Sequence, residues 1–236
     1  DLRRAVELFE GYGRPGEARD AASARTICFT GGEPLLEFGL LKGIILYIRD
    51  RKERFAVTVN TNATLLTPEM ADFLLAQEVY LAVSLDGGKA VHDLHRVFRD
   101  DRGASVYDAM LKNLMALPSE FLKNVRASVT ITSRTMPAVI ETVGLLQDMG
   151  FRFVELGLDS YEIWTPVKLK VLEKTLSVVR DHYVGLLNSG DPGKMRRVFT
   201  FSLENKQMKA SFYTPLNDVS LSPEGVFYPS DTLATA

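Results

Sequence analysis

The sequence predicts an α/β fold in which parallel strands alternate with helices, as in a partial (β/α) barrel. Short strands that are apolar on both faces recur along the chain, as in parallel sheets that are covered by helices. Between them lie segments whose apolar residues recur at helical spacing. A doubly wound parallel sheet is the competing architecture, because it requires the same alternation.

The predicted elements follow one another in a regular order. A helix over residues 2–10 comes first, followed by strands over residues 26–30, 55–60, 79–84, 126–132 and 151–158. Thr67 and Ser105 stand where helix N-caps belong, and Gly150 stands where a left-handed C-terminal cap belongs. Five strand–helix units are too few to close an eightfold barrel, and they fit a partial one.

The pattern changes after residue 190. We therefore predict a barrel domain over residues 1–190 and an extension over residues 191–236 that contains short strands and turns. Ser-Pro-Glu-Gly at positions 222–225 predicts a tight turn between strands at 219–221 and 226–228.

Composition and charge exclude several classes of partner. The formal net charge of the 236 residues is -2, which argues against nucleic acid. No apolar run is long enough to span a bilayer and no signal peptide opens the chain, so we expect a cytoplasmic protein without a membrane partner. Cys28 is the single cysteine, which excludes an intrachain disulfide. Because it lies in an apolar strand, we expect a small buried hydrophobe rather than a reactive thiol.

Polar side chains stand where the predicted strands end. Parallel α/β folds bind ligands at the carboxyl ends of their strands. We therefore expect these side chains to lie together around one opening at that end of the sheet, which we call the mouth. They are Glu33, Asn60, Thr61, Asn62, Ser84, Asp86, Thr130, Thr132, Ser133, Asp159 and Ser160. Five polar strand ends together favour a polar ligand site over a bare scaffold.

The first of these ends is a turn formed by Gly31, Gly32, Glu33 and Pro34. The two glycines let a ligand approach the backbone without a Cβ in the way. Glu33 offers a carboxylate at that place, and Pro34 stiffens the exit from the turn. An ordinary strand-to-helix turn with a surface glutamate is the alternative interpretation.

Charged residues beyond the third strand add to this mouth. Arg96 can hold a carboxylate through two parallel hydrogen bonds, so Glu33 and Arg96 together would recognise the zwitterionic end of an amino acid. A surface cation is the alternative interpretation of Arg96. His92 and His95 suggest a zinc site, but no third ligand lies nearby at a matching spacing, and we predict no metal site in the chain.

These motifs resemble the radical S-adenosylmethionine (SAM) superfamily, in the branch that matures proteins and peptides and includes the anaerobic sulfatase-maturating enzymes. The likeness runs from residue 26 to about residue 158 and resumes at 219–231. It is carried by Gly-Gly-Glu-Pro at 31–34, by Asn-Thr-Asn at 60–62, and by Ser-Leu-Asp-Gly at 84–87 followed by His92, Asp93 and Arg96. The resemblance implies a partial, six-stranded (β/α) barrel with a C-terminal extension of SPASM or twitch type.

The resemblance also implies a chemistry and a set of binding residues. A 4Fe–4S cluster, reduced by a donor such as flavodoxin or ferredoxin, would cleave SAM to a 5′-deoxyadenosyl radical that takes a hydrogen atom from a peptide or protein substrate. Such an enzyme is an oxidoreductase. Glu33 would bind the SAM ammonium, and Ser84 and Arg96 would hold the carboxylate and ribose. The other cofactor-binding positions are Gly31, Gly32 and Pro34 in the turn, Asn62 near the ribose and Leu158 near the adenine.

The sequence departs from this family in two places. The cluster needs the motif Cys-x-x-x-Cys-x-x-Cys after the first strand, and Cys28 alone does not supply it. We therefore expect a fragment that lacks the first strand and the cluster loop and is inactive alone. Ser230 stands where the extension would carry a cysteine ligand, so an auxiliary cluster would be lost or altered. Asp231 stands where relatives carry a catalytic carboxylate that removes a substrate proton.

Two other functions remain open. A barrel that lost its cluster would serve as a peptide-binding or partner-docking module, which the missing cysteines favour. An ordinary barrel enzyme such as an aldolase or isomerase would need a lysine or a His/Glu pair at a strand end. The candidates Lys42, Lys89 and Lys112 fall in predicted helices or loops instead.

Overall fold

A computed structural model of the chain describes residues 2–11, 26–52, 55–118, 121–189, 197–200, 220–221 and 227–228. These residues form a sheet of six parallel strands whose spatial order is the order of the sequence. A doubly wound sheet instead reverses its strand order at a switch point. The sheet therefore confirms the partial (β/α) barrel and excludes the competing architecture.

Five of the six strands lie close to the predicted positions. The strands are β1 (Thr26–Phe29), β2 (Ala56–Thr61), β3 (Val79–Ser84), β4 (Val125–Ile131), β5 (Phe153–Leu158) and β6 (Arg197–Thr200). The sequence pattern does not predict β6, because four residues are too few to show a period. β6 pairs with β5, so the sheet extends past residue 190.

The helices begin and end near the predicted capping residues. They are α1 (Leu2–Gly11), α2 (Phe38–Arg49), α3 (Pro68–Ala76), α4 (Lys89–His92), α5 (Val106–Met115), α6 (Val139–Asp148) and α7 (Pro166–Asn188). The Thr67 hydroxyl accepts a hydrogen bond from the Met70 amide, and the Ser105 hydroxyl accepts one from the Asp108 amide. Gly150 has φ +105° after α6. These contacts confirm the three predicted caps.

The two faces of the sheet differ in character. Alternate strand residues such as Val57, Val83 and Ala127 are buried beneath the helices. The opposite face, which we call the lumen face, carries mostly polar side chains of intermediate or high exposure. Its members include Cys28, Thr58, Asn60, Tyr80, Ser84, Arg126, Ser128 and Glu155.

The prediction that Cys28 is buried is wrong. Cys28 is exposed, because it lies on the lumen face and β1 is an edge strand of the described sheet. An apolar run in the sequence does not show which of its residues point away from the covering helices.

Besides β6, the described part of the predicted extension contains one pair of short strands. β7 (Ser220–Leu221) and β8 (Phe227–Tyr228) pair in antiparallel fashion, which confirms the two predicted strands. The tight turn predicted at Ser-Pro-Glu-Gly lies outside the described residues. Ser230 and Asp231 lie outside the described residues. In the part of the chain that the structure describes, no helix combines the length and apolarity needed to cross a membrane.

Candidate functional site

The turn after β1 leaves open space beside its glycines. Gly31 has φ +136°, a conformation that favours glycine. A Cβ built on Gly31 or Gly32 would meet no atom within 4 Å, and both residues are exposed. Pro34 begins the short 3-10 helix Pro34–Glu37 that leads into α2. The turn therefore has room for a ligand against its backbone.

The carboxylate of Glu33 is held in a fixed position. Its Oε1 accepts hydrogen bonds from the Leu35 amide (3.1 Å) and the Thr61 hydroxyl (2.5 Å). Its Oε2 accepts one from the Asn62 amide (2.8 Å). All three donors are neutral, and among the described residues no cationic side chain pairs with Glu33. Because a carboxylate has about four acceptor positions, one on Oε2 is left for a cationic ligand.

The end of β2 supports Glu33 from the adjacent strand. Thr61 is buried, and its hydroxyl also accepts a hydrogen bond from the Ala63 amide (3.0 Å). Asn62 Oδ1 accepts hydrogen bonds from the amide (2.9 Å) and the hydroxyl (2.7 Å) of Thr64. The Asn62 oxygen is thus committed to the turn, and only its amide nitrogen remains for the ribose contact that the resemblance predicts.

Arg96 is paired with Asp86, which follows β3. Arg96 Nε lies 2.5 Å from Oδ2 of Asp86, and Nη2 lies 3.1 Å from Oδ1. The Asp86 side chain is 5% exposed and the Arg96 side chain is 28% exposed. Arg96 is therefore not a free surface cation. One edge of its guanidinium meets Asp86, while the edge formed by Nη1 and Nη2 still carries donors.

His92 lies beneath the Asp86 turn. It is fully buried, and its Nδ1 accepts a hydrogen bond from the Asp86 amide (3.3 Å). Its Nε2 is buried without a hydrogen-bond partner among the described residues. Burial lowers the pKa of His92 to about 4, although the nearby Asp86 charge opposes this shift. His92 is therefore a neutral group at ordinary pH, and it supports the backbone of the turn.

Ser84 and Leu158 occupy different sides of their strands. Ser84 ends β3 on the lumen face, in register with Ser128 of β4. One strand separates β3 from β1, so the ends of these two strands lie roughly 10 Å apart. Leu158 ends β5 and its side chain packs against the hydrophobic core. An adenine contact at Leu158 would therefore fall on the backbone rather than on the side chain.

The lumen face below the mouth carries an ion pair. Arg126 Nε lies 3.1 Å from Oε2 of Glu155, and the two side chains are 38% and 42% exposed. Ser128 is in register with Glu155. Asn60 Oδ1 is buried without a hydrogen-bond partner among the described residues. This face thus offers donors and acceptors, and the charges of Arg126 and Glu155 balance each other.

A metal site does not emerge from the described residues. They contain no group of three or more His, Cys, Asp or Glu side chains placed to hold a metal ion. His95 Nε2 lies 3.3 Å from the Thr132 hydroxyl, and His92 Nδ1 is occupied by the Asp86 amide. A 4Fe–4S cluster takes three thiolates in this kind of site, and the chain has one cysteine. The residues of this chain therefore do not fit the cluster.

The sequence places Thr61 and Asp86 among the polar strand ends but gives them no individual role. In the structure the Thr61 hydroxyl donates a hydrogen bond to Glu33, and the Asp86 carboxylate accepts one from Arg96. The available signals were a polar residue at each strand end and, for Asp86, a cation ten residues further on. Asp86 and Asp93 both precede Arg96, and the sequence does not show which of them meets the guanidinium. Asp93 in fact accepts hydrogen bonds from the Ser105 hydroxyl (2.6 Å) and the Tyr107 amide (2.9 Å).

A family comparison agrees with the motifs. Residues 16–119 match the family model of the Radical SAM superfamily, which confirms the resemblance. The uncharacterized protein MJ0907 of Methanocaldococcus jannaschii is 28% identical over 136 residues, which cover 56% of this chain and 46% of that protein.

Solved structures share the fold of this chain. Native anSMEcpe with bound AdoMet and Cp18Cys peptide has a TM-score of 0.66 at 19% identity, over 90% of this chain and 62% of that one. Streptococcus suis SuiB bound to precursor peptide SuiA has a TM-score of 0.65 at 13% identity, over 99% of this chain and 53% of that one. The chain spans about half the length of the proteins that it matches.

Proposed function

We propose that this chain, in which residues 16–119 match the Radical SAM superfamily, is the SAM-binding part of an enzyme that modifies a peptide or protein side chain. The observation that carries the proposal is that one end of the sheet carries both an unfilled acceptor position and an unfilled donor edge. Glu33 keeps an acceptor position on Oε2, and Arg96 keeps a donor edge. Because SAM carries its ammonium and carboxylate on one carbon, these two residues suit its amino-acid end.

Each residue of the site would act by binding. Glu33 accepts hydrogen bonds from the ammonium, and Gly31 and Gly32 admit the ligand to the backbone. The carboxylate and ribose end meets Arg96 and Ser84. The other proposed contacts are the amide nitrogen of Asn62 with the ribose, the backbone at Leu158 with the adenine, and Asp231 as the carboxylate that removes a substrate proton.

The cluster that this chemistry requires needs ligands from elsewhere. Three thiolates are needed and Cys28 is the single cysteine here, so we place the ligands in a part of the whole protein outside the given sequence. Held by those ligands, a cluster would supply the electron for reductive cleavage of SAM. A donor such as flavodoxin or ferredoxin would reduce it.

A peptide or protein substrate is supported by the fold and by the lumen face. Two of the similar structures, those of anSMEcpe with Cp18Cys peptide and SuiB with precursor peptide SuiA, contain a peptide. The Arg126–Glu155 pair presents both donors and acceptors, which matches the N–H and C=O groups of a peptide main chain.

Anaerobic reconstitution of the whole protein with iron and sulfide tests the function. We expect the visible absorbance of an iron–sulfur cluster and release of 5′-deoxyadenosine from SAM after reduction. Glu33→Gln should lower this release, whereas Glu37→Gln, at an exposed position in the same 3-10 helix region, should not. If the whole protein showed neither the absorbance nor the release of 5′-deoxyadenosine, the proposed enzymatic function would be excluded.

A peptide-binding module without chemistry is the second candidate, and the single cysteine favours it. The sequence of the whole protein separates the two candidates, because the module would carry no Cys-x-x-x-Cys-x-x-Cys motif. It would also bind peptide equally well with and without SAM.

A further inference from the structure

We propose that Asp86 is a positioning residue for the SAM-binding site, because it aims the Arg96 guanidinium so that the Nη1/Nη2 edge meets the SAM carboxylate. The inference rests on the proposed function.

Arg96 needs such a partner to reach the mouth in a defined orientation. It lies ten residues beyond Asp86, after the single turn α4, with its amide bonded to the His92 carbonyl (3.2 Å). An arginine side chain has many rotamers, and ordering it at the moment of binding would cost affinity. The contact with Asp86 fixes the side chain during folding, so a ligand meets a preorganised guanidinium.

Asp86 is itself held from several sides. Oδ1 accepts a hydrogen bond from the Thr130 amide of β4 (2.8 Å), and the Asp86 amide donates to His92 Nδ1 (3.3 Å). The Asp86 carbonyl accepts a hydrogen bond from the Thr142 hydroxyl of α6 (3.4 Å). The Asp86 carboxylate is tied to β4 and the Asp86 backbone is tied to α4 and α6, so this residue keeps its place independently of the arginine. The arginine therefore takes its orientation from Asp86.

The geometry of the contact leaves one edge of Arg96 for a ligand. The Asp86 carboxylate accepts hydrogen bonds from Nε and from one N–H of Nη2. Within the described part of the chain, Nη1 makes no hydrogen bond, and the side chain is 28% exposed. The Nη1/Nη2 edge carries two parallel N–H donors, which is the arrangement that binds a carboxylate with both oxygens.

Two ligands that differ by one group test the inference in the reconstituted whole protein. Binding of SAM and of decarboxylated SAM, which lacks only the carboxylate, is measured by calorimetry for wild type, Asp86→Asn and Asp93→Asn. We expect Asp86→Asn to weaken SAM binding about 10-fold, in the range of one charge-assisted hydrogen bond. Its affinity for decarboxylated SAM should change less than about twofold, since that ligand does not use the Arg96 edge.

Asp93→Asn is the matched control, because Asp93 caps α5 and does not contact Arg96. It should leave the ratio of the two affinities unchanged. If Asp86→Asn does not fold, Asp86→Glu keeps the charge but displaces the guanidinium, and the same fall in the ratio is expected. If the Asp86 variants bound SAM and decarboxylated SAM with equally reduced affinity, or bound SAM as tightly as wild type, the role of Asp86 would be overturned. Wild-type protein that binds no SAM would instead overturn the proposed function.

Discussion

The two turns of the proposed amino-acid site are held in place by different kinds of interaction. In the turn after β1, Glu33 is bound by two amides and a hydroxyl, and no described side chain balances its charge. In the turn after β3, the buried Asp86 balances the charge of Arg96. The first turn is open beside Gly31, whereas the second is packed against Thr142 at Gly87.

This difference indicates how each turn would contribute to binding. A carboxylate held by neutral donors still presents its charge, so the Glu33 turn can attract an ammonium group. A guanidinium paired with a carboxylate presents little net charge, so Arg96 in the Asp86 turn supplies directed hydrogen-bond donors instead. Substitutions in the Glu33 turn should therefore lower ligand affinity, while those in the Asp86 turn should also lower the stability of the fold.

The largest effect is expected for Arg96→Ala. The substitution leaves the Asp86 carboxylate buried without its cation, which should lower the free energy of unfolding by about 3 kcal/mol, less than for a fully buried pair because Arg96 is partly exposed. Urea unfolding at pH 7 measures this loss. Arg99→Ala removes an exposed arginine and should change the free energy by less than about 0.5 kcal/mol.

The double variant Asp86→Asn/Arg96→Ala tests the explanation. Removing both charges leaves no unpaired buried ion, so it should be more stable than Arg96→Ala alone. A double variant that is as unstable as Arg96→Ala would show that packing, rather than the stranded Asp86 charge, causes the loss.

A pH-dependent loss of stability is expected next, from His92 beneath the same turn. Burial lowers its pKa from the ordinary 6.5 to about 4, so between these values the unfolded chain binds a proton that the folded chain does not. Stability is then full above pH 6.5 and is lost as the pH falls toward 4. Between pH 7 and pH 5 this contributes about 2 kcal/mol.

His92→Asn keeps an acceptor near the Asp86 amide and removes the titration. Urea unfolding at pH 7 and pH 5 should therefore show a loss that is about 2 kcal/mol smaller in the variant than in wild type. Parallel losses in the two proteins would mean that His92 gains its proton without unfolding the turn.

The sequence predicts the scaffold of this site better than its internal contacts. Period and capping signals locate five strands and three helix caps, because these are local properties of the chain. The strand β6 escapes the pattern because it is short. The exposure of Cys28 is not predicted either, because the strand pattern does not show which face of the sheet the helices cover.

The partners of the charged residues are set by tertiary contacts. Glu33 meets Thr61 across 28 positions, and Asp86 meets the Thr130 amide across 44 positions. Motif spacing predicts that Glu33 and Arg96 share a mouth, but it contains no information on which neighbours bind their side chains. That information decides between a surface cation and an oriented donor for Arg96.

A smaller loss, in affinity, is expected for Glu33→Gln. Removing the charge while keeping the shape should weaken SAM binding about 30-fold, which corresponds to about 2 kcal/mol. Calorimetry on the reconstituted whole protein measures the affinity, and urea unfolding should show a smaller loss than for Arg96→Ala. Glu37→Gln is the control. A Glu33→Gln protein that binds SAM normally but unfolds easily would reverse the assignment of tasks to the two turns.

The smallest effect is the difference between Gly31→Ala and Gly87→Ala. Both glycines have positive φ, +136° and +147°, so each alanine costs about 1–2 kcal/mol of backbone strain. At Gly87 the new Cβ would also lie 2.6 Å from Thr142 Oγ1, while at Gly31 it would meet nothing within 4 Å.

Gly87→Ala should therefore be about 1 kcal/mol less stable than Gly31→Ala in urea unfolding. Thr142 cannot easily yield, because it is β-branched, buried in α6 and bonded to the Asp86 carbonyl. Gly88→Ala, whose Cβ would lie 3.6 Å from Leu145 Cδ2, controls for the added methyl group. Equal losses at positions 31 and 87 would mean that Thr142 moves aside, and the Asp86 turn would then be no more tightly packed than the Glu33 turn.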